Sequence, residues 1–274
     1  MTSELMERKH REDLERLRKF RLMDDDFMTK CFEGEPACIE LVLRIVLDMA
    51  EIRVVEVHTQ VFVENLFNRS LRLDILAMDA EGKRFNVEIQ RSDHGAGKQR
   101  ARYNSSMMDV NALKKSGDFS ALPETWVIFI TENDVMGKNL PLYHIERVIS
   151  ETGELFRDGA HILYVNGAWR DDSPLGKLMH DFSCTDPADM HYPVLADRVR
   201  FYKESKKGVA IMCKMIEDMR SQEREEGREE GLKEGTEAIA KRLIAMGEFG
   251  LERIAEMTGL SVDEIKALSA GRSE

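Results

Sequence analysis

Arg72-Leu73-Asp74-Ile75-Leu76-Ala77-Met78-Asp79-Ala80-Glu81-Gly82-Lys83-Arg84-Phe85-Asn86-Val87-Glu88-Ile89-Gln90 is the stretch that decides how this chain is read. It has the pattern of two short strands joined by a tight turn. Leu73, Ile75 and Ala77 take one side of the first strand, leaving Asp74 on the other. Phe85, Val87 and Ile89 do the same on the second, leaving Asn86, Glu88 and Gln90 together. Register decides whether the two acids meet. A three-residue loop, Ala80-Glu81-Gly82, pairs Asp79 with Lys83 and puts Gly82 at the left-handed position of a type I turn with a G1 bulge. Counting back along both strands then sets Asp74 directly opposite Glu88. A two-residue loop would set Asp74 opposite Ile89 and mix acidic with apolar positions, a slip that burial disfavours.

Two carboxylates about 5 Å apart at Cβ repel one another unless a cation lies between them. Oxygen donors of this kind suit Mg²⁺, with Mn²⁺ as a substitute. Such an ion polarises a phosphoryl oxygen and acidifies a bound water. Gln90 shares the side of Glu88, where its amide can orient that water or a phosphate oxygen. An isolated Asp with Glu-x-Gln also fits an exposed polar sheet face that binds nothing.

Outward from the hairpin, residues 4–22 read as a solvated helix or frayed arm, and Asp24-Asp25-Asp26 as N-cap chemistry for the next helix. Residues 36–50 read as a helix with Pro36 in its first turn. Arg53 to Phe62 alternates as a strand. Residues 96–115 read as a helix with a basic first half, and Thr125 to Thr131 as a strand buried on both faces. His144 to Ile149 and Ala160 to Val165 suggest two more strands, while 174–182 and about 194–220 read as helices. The order helix, three strands, helix, strand predicts an α/β sheet layered by helices.

Further on, Gly227, Gly231 and Gly235 recur every four residues among glutamates and arginines. Each glycine costs about 1 kcal/mol in a helix interior, so this segment reads as a polar linker helix or as a close helix–helix seam in a dimer. In the last stretch Ser261 and Glu264 fit a capping box. Ile254 to Ser261 resembles a helix-turn-helix turn, but Lys266 is the only base in the helix after it, which favours a packing or oligomerisation module over a DNA reader.

The net charge of −11 counts against a general nucleic-acid-binding surface. The four cysteines form no zinc-type spacing and read as reduced thiols of a cytoplasmic protein. No apolar run reaches the roughly 18 residues of a membrane helix, and no secretory signal is visible at Met1 to Leu5.

Through the hairpin acids, the Glu88-Ile89-Gln90 end of the second strand and Arg100-Ala101-Arg102-Tyr103, the chain resembles the PD-(D/E)XK nuclease superfamily. More narrowly, it resembles the family of recombination-promoting nucleases or putative transposases, over about residues 20–235. The resemblance implies an α/β restriction-endonuclease-like core (αβββαβ, a mixed sheet flanked by helices) with a helical C-terminal extension. It divides the chain into an arm at 1–23, the nuclease-like domain at 24–200, a linker helix at 201–236 and a small unit at 237–274. It implies a metal-dependent DNA endonuclease in which Asp74, Glu88 and the Ile89 carbonyl hold Mg²⁺ and a metal-activated water attacks the phosphodiester. Gln90 takes the lysine position, where it can hydrogen-bond but brings no charge. Glu40 is the accessory acid by position on a helix, with Glu35 behind it. Arg91, Lys98, Arg100, Arg102 and Tyr103 would meet DNA phosphates without reading sequence. The oligomeric state stays open, a homodimer through the 201–236 helix being the assembly that two-strand cleavage would favour. The missing lysine leaves open a weak or inactive DNA-binding protein, and the glycine repeat leaves open a purely structural dimer.

Overall fold

The computed structural model describes residues 3–64, 70–91, 93–113 and 116–270. Residues 1–212 form one compact unit and residues 213–274 a second.

Three helices lead into the first unit: α1 (Ser3–Lys19), α2 (Asp25–Phe32) and α3 (Pro36–Leu47). Pro36 opens α3, where its fixed φ suits the first turn. Asp48 ends α3 in the left-handed conformation, φ 53°. Asp24 stands at the N-cap of α2, but its side chain caps nothing. Its carboxylate instead accepts from the Arg21 amide (2.8 Å) and pairs with Arg91 (2.9 Å). That corrects the capping role expected for it.

The strands β1 (Val54–Val63), β2 (Leu71–Asp79), β3 (Arg84–Gln90), β4 (Thr125–Thr131), β5 (Leu142–Ile145) and β6 (Ala160–Asn166) form one sheet in the order β1-β2-β3-β4-β6-β5. β1, β2 and β3 are antiparallel, β3, β4 and β6 run parallel, and β5 returns antiparallel along the edge of β6. The sheet is therefore mixed, and β4 lies between two parallel neighbours with every residue buried. That is why its sequence is a continuous apolar run and not an alternating one.

The helix α4 (Lys98–Ala112) joins β3 to β4. Its Ala101, Met107 and Met108 pack with Val127 and Phe129 in one buried cluster. Asn86 pairs with Val127 and Glu88 with Phe129, so α4 covers the sheet face that carries Glu88. Ile75, Ala77, Phe85, Val87 and Ile89 are all buried on the other side, whereas Leu73, expected with them, packs in the cluster beneath α4. The apolar side of the hairpin therefore has cover as well, and neither acid can reach solvent by a register slip without exposing that row.

The unit continues through α5 (Pro174–Ser183), α6 (Pro193–Glu204) and the start of α7 (Lys206–Met246). The apolar pattern predicts one helix across about 194–220, but the chain breaks at Ser205. The Ser205 Oγ accepts from the Gly208 amide (3.0 Å), which is N-cap chemistry for a new helix. Gly208 is forced there, because a Cβ would lie 2.1 Å from the Phe201 carbonyl oxygen.

In the second unit, the later part of α7 packs against α8 (Leu251–Thr258) and α9 (Val262–Ala270) around Ala240, Ile254 and Ile265. Gly259 closes α8 at φ 75°. The capping box forms as expected: Ser261 donates its amide to Glu264 Oε2 (2.8 Å), and Glu264 donates its amide to Ser261 Oγ (3.3 Å).

Candidate active site

The hairpin turn takes the three-residue form. The Asp79 amide donates to the Lys83 carbonyl (3.1 Å), the Gly82 amide donates to the Asp79 carbonyl (3.1 Å), and Gly82 sits at φ 84°. The ladder then pairs Met78 with Arg84, Ala77 with Phe85, Leu76 with Asn86 and Ile75 with Val87. The ladder ends at Ile75–Val87, and just beyond it the Asp74 and Glu88 carboxylates each reach across to the other strand. Asp74 Oδ2 accepts from the Ile89 amide (3.0 Å), and Glu88 Oε1 accepts from the Asp74 amide (3.4 Å).

Both acids are buried, Asp74 at 6% and Glu88 at 0% exposure. Burial pushes the Asp74 carboxyl up to about 8; the charges of Glu88 and Asp25 add to the rise, and the Ile89 hydrogen bond and Arg100 oppose it. Glu88 is raised too, chiefly by burial, with Arg100 pulling the other way. Two carboxyls held together and driven toward protonation form a site that gains from a cation. The donors are hard oxygens, which fit Mg²⁺ or Mn²⁺.

The Glu88 Oε2 pairs with Arg100 Nη2 at 2.9 Å. Arg100 projects from the first turn of α4 and also lines a cavity of about 740 Å³ with Arg72, Gln99, Arg102 and Tyr103. One guanidinium thus touches both the buried acid and an open pocket walled by two further arginines. Gln90 ends β3. Its side chain fills the space over Gly95, where a Cβ would lie 1.8 Å from Oε1. Gly95 is therefore what makes room for the Gln90 carboxamide.

The structure brings together Asp74, Glu88, the Ile89 amide and Arg100, seats the Gln90 side chain against Gly95, and places Glu40 elsewhere. Glu40 Oε2 accepts from the Val54 amide (3.0 Å) and Oε1 pairs with Arg44 (2.7 Å). Val54 pairs with Asp79, so Glu40 serves the turn end of β2, roughly 17 Å along the strand from Asp74. Among the expected phosphate contacts, Arg91 is paired with Asp24 (2.9 Å) and Glu132 (3.5 Å). Lys98 and Arg102 are exposed, and Tyr103 is half-buried on the cavity wall.

A third acid does lie near the pair. Asp25, from the first turn of α2, is close enough to raise Asp74 and is itself raised, first by burial and then by Asp26. Gln60 holds it: its Nε2 donates to Asp25 Oδ1 (3.3 Å) and Thr29 Oγ1 (3.1 Å). Gln60 falls between the Thr59–Ile75 and Val61–Leu73 pairs and so lies opposite Asp74. It adopts φ 53°, a conformation that costs a non-glycine residue about 1 kcal/mol or more. Sequence reasoning missed both residues. The available signals were three consecutive acids ahead of a helix and a lone glutamine in a strand of branched residues.

A mixed sheet flanked by helices, with opposed carboxylates across its central hairpin, defines a restriction-endonuclease-like α/β core. Residues 31–167, half of the chain, match the family described as PD-(D/E)XK nuclease family transposase, and the chain belongs to that family. No curated protein and no solved structure matches the chain. Membership makes the function one of nuclease or transposase type with DNA as the implied substrate, and nucleases of this superfamily generally use divalent metals. Among the described residues, no helix is long and apolar enough to cross a membrane.

Proposed function

We propose that the protein is a divalent-metal-dependent DNA endonuclease of the transposase or recombination type, acting in the cytoplasm, with Mg²⁺ as its ion and Mn²⁺ as a substitute. The carrying observation is the buried Asp74–Glu88 pair, held crosswise by backbone amides and pushed toward protonation by mutual burial. Asp74, Glu88 and the Ile89 carbonyl hold the ion, with Asp25 as the accessory acid in place of Glu40. When bound, the ion supplies Lewis-acid polarisation of the phosphoryl oxygen and a more acidic water.

The remaining work falls to the chain. The crosswise hydrogen bonds fix both carboxylates before substrate arrives, so no reorganisation is needed at the moment of reaction. Gln90, seated over Gly95, donates a hydrogen bond to the attacking water or to a phosphate oxygen. Arg100 neutralises Glu88 in the ion-free protein and, from the cavity wall, meets the charge of an incoming phosphate. It supplies the cation that Gln90 lacks. Arg72, Lys98, Arg102 and Tyr103 grip the backbone on either side, and such contacts position DNA without selecting sequence. Arg91 braces α2 against the site through Asp24 and serves DNA indirectly.

Incubating supercoiled plasmid with the purified protein and Mg²⁺ or Mn²⁺, beside Asp74→Asn and Glu88→Gln, tests this reading. Nicking by the parent protein alone supports it. Equal nicking by all three proteins marks contamination and removes the enzymatic claim. A second reading rests on Gln90 at the lysine position: a DNA-binding or assembly protein that has lost turnover, for which plasmid is retarded in a gel but stays intact. The exposed row Gly227, Gly231 and Gly235, with open space at each Cβ position, supports a homodimer through α7, the helix that carries most of the expected 201–236 segment. Sedimentation equilibrium tests that assembly.

A further inference from the structure

The far end of the same sheet carries a second cluster that the nuclease chemistry does not use. His144 lies on β5, Glu146 is two residues further along, and His161 lies on β6. Antiparallel pairing sets His144 opposite Leu163 and Ile145 opposite Ile162, so His161 comes opposite Glu146, with His144 two rungs away on the same face. His144 Nε2 is 2.7 Å from Glu146 Oε1, His161 Nδ1 is 2.6 Å from the same oxygen, and the two ring nitrogens are 3.4 Å apart. Trp126 and its neighbours are at the start of β4, whereas Glu88 and Gln90 pair with Phe129 and Thr131, so this cluster is separate from the carboxylate pair.

We propose that His144, Glu146 and His161 bind a divalent transition-metal ion of the zinc class, with Glu124 as the outer partner of His161. Two imidazoles and one carboxylate are the donor set that such ions take, while Mg²⁺ prefers oxygen alone. Around a tetrahedral ion with metal–donor lengths of about 2.0–2.1 Å, donors stand about 3.3 Å apart. The two nitrogens already have that spacing, and the Glu146 oxygen needs to back away by only about 0.7 Å.

The surroundings of His161 strengthen the case. Its ring stacks on Trp126, centroids 3.9 Å apart and planes 16° from parallel. Its Nε2 lies 3.4 Å from Glu124 Oε1. Glu124 is itself fixed by Lys83 (3.0 Å) and by the Trp126 indole N–H (3.1 Å). A neutral imidazole has a single N–H, yet His161 presents a carboxylate to each nitrogen. An ion on Nδ1 leaves the Nε2 proton for Glu124, which is the carboxylate–histidine–metal arrangement that fixes tautomer and ring orientation. Three protein donors leave a fourth position to solvent. The ion would fasten β5, the edge strand, and the chain just beyond it to β6.

A second trio, His180, Asp181 and His191, has ligand atoms at similar separations but a different explanation. Both Asp181 oxygens accept backbone amides, from His191 and Tyr192 at 2.8 Å each. That carboxylate is committed to the loop before α6.

The test uses the full chain carrying Asp74→Asn and Glu88→Gln, so that the candidate nuclease ion site is disabled, after stripping with chelator. Zn²⁺ uptake is measured by calorimetry, and Co²⁺ replaces it as a visible-absorption probe of tetrahedral coordination. The expected result is one equivalent bound, intense tetrahedral Co²⁺ bands and a Zn²⁺-dependent rise in Tm. His144→Ala, at an exposed residue, abolishes all three while leaving the circular dichroism unchanged. Glu124→Gln weakens binding about 10–100-fold. His180→Ala changes nothing. Absence of uptake, or uptake that survives His144→Ala combined with Glu146→Gln, overturns the proposal and reduces the cluster to a hydrogen-bonded trio.

Discussion

Asp74 is an acid whose neighbours oppose its charge. Burial, Glu88 and Asp25 all favour its protonated form, yet its Oδ2 accepts from the Ile89 amide, a bond that an amide oxygen can also accept. Asp74→Asn is therefore expected to raise the Tm of the chelator-treated protein while lowering Mg²⁺-dependent nicking by about 100-fold or more, the scale on which losing one charge-stabilising group acts. A fall in Tm would show that the carboxylate stabilises the ion-free fold and that the electrostatic account is mistaken. Gly95 offers a cleaner probe of Gln90. Gly95→Ala drives a Cβ into the end of a flexible side chain, which can swing away. The expected outcome is near-parental stability with a drop in cleavage rate and little change in DNA affinity. Unchanged cleavage would dismiss Gln90 from the chemistry.

Among the elements, the β2–β3 hairpin depends most on one position. Gly82 sits at φ 84° with open space around it, so Gly82→Ala adds strain without a clash. The expected cost is about 1–2 kcal/mol, read as a lower urea midpoint with an unchanged m-value. This element is legible in the sequence, because alternation and a three-residue loop leave one register that keeps Asp74 and Glu88 off the apolar face. β4 is legible for a related reason, its unbroken apolar run. The features that escape are long-range. Asp25 and Gln60 are brought to Asp74 by tertiary packing, and nothing local distinguishes Asp25 from the two acids flanking it. Glu40 is the candidate by position on a helix, but packing turns it to the Val54 amide. Arg91 and Arg100 read as free positive charge because a sequence does not reveal which bases answer buried or neighbouring acids. The break at Ser205 is hidden by apolar periodicity that continues across it.

For the whole molecule, the raised carboxyls link protons, metal and stability. Asp74 titrates near 3.8 when unfolded and near 8 in the ion-free fold. Its folded form keeps a proton that the unfolded chain has lost, so the penalty is absent below the unfolded value and grows as pH rises toward about 8. Its slope is at most about 1.4 kcal/mol per pH unit for one group. If Asp74 holds Mg²⁺ as proposed, the ion displaces that proton. The apparent Mg²⁺ affinity is therefore expected to strengthen from pH 6 to pH 8, and the Tm gain from Mg²⁺ to widen over the same range, measurable by thermal shift at fixed ionic strength. A gain independent of pH would place the ion elsewhere.

The crosswise bonding of Asp74 and Glu88 has a consequence for how this protein can change over generations. Each carboxylate secures an amide of the opposite strand, so truncating either one to alanine removes a rung of buried support along with the ligand. Asparagine at 74 or glutamine at 88 keeps the rung and discards the charge. On the proposed nuclease reading, a lineage that abandons cleavage but still needs the folded scaffold is thereby steered toward those two replacements. Each matches its acid in shape and in accepting a hydrogen bond, and differs in ionisation. Silent copies of this chain should carry amides where the active ones carry acids.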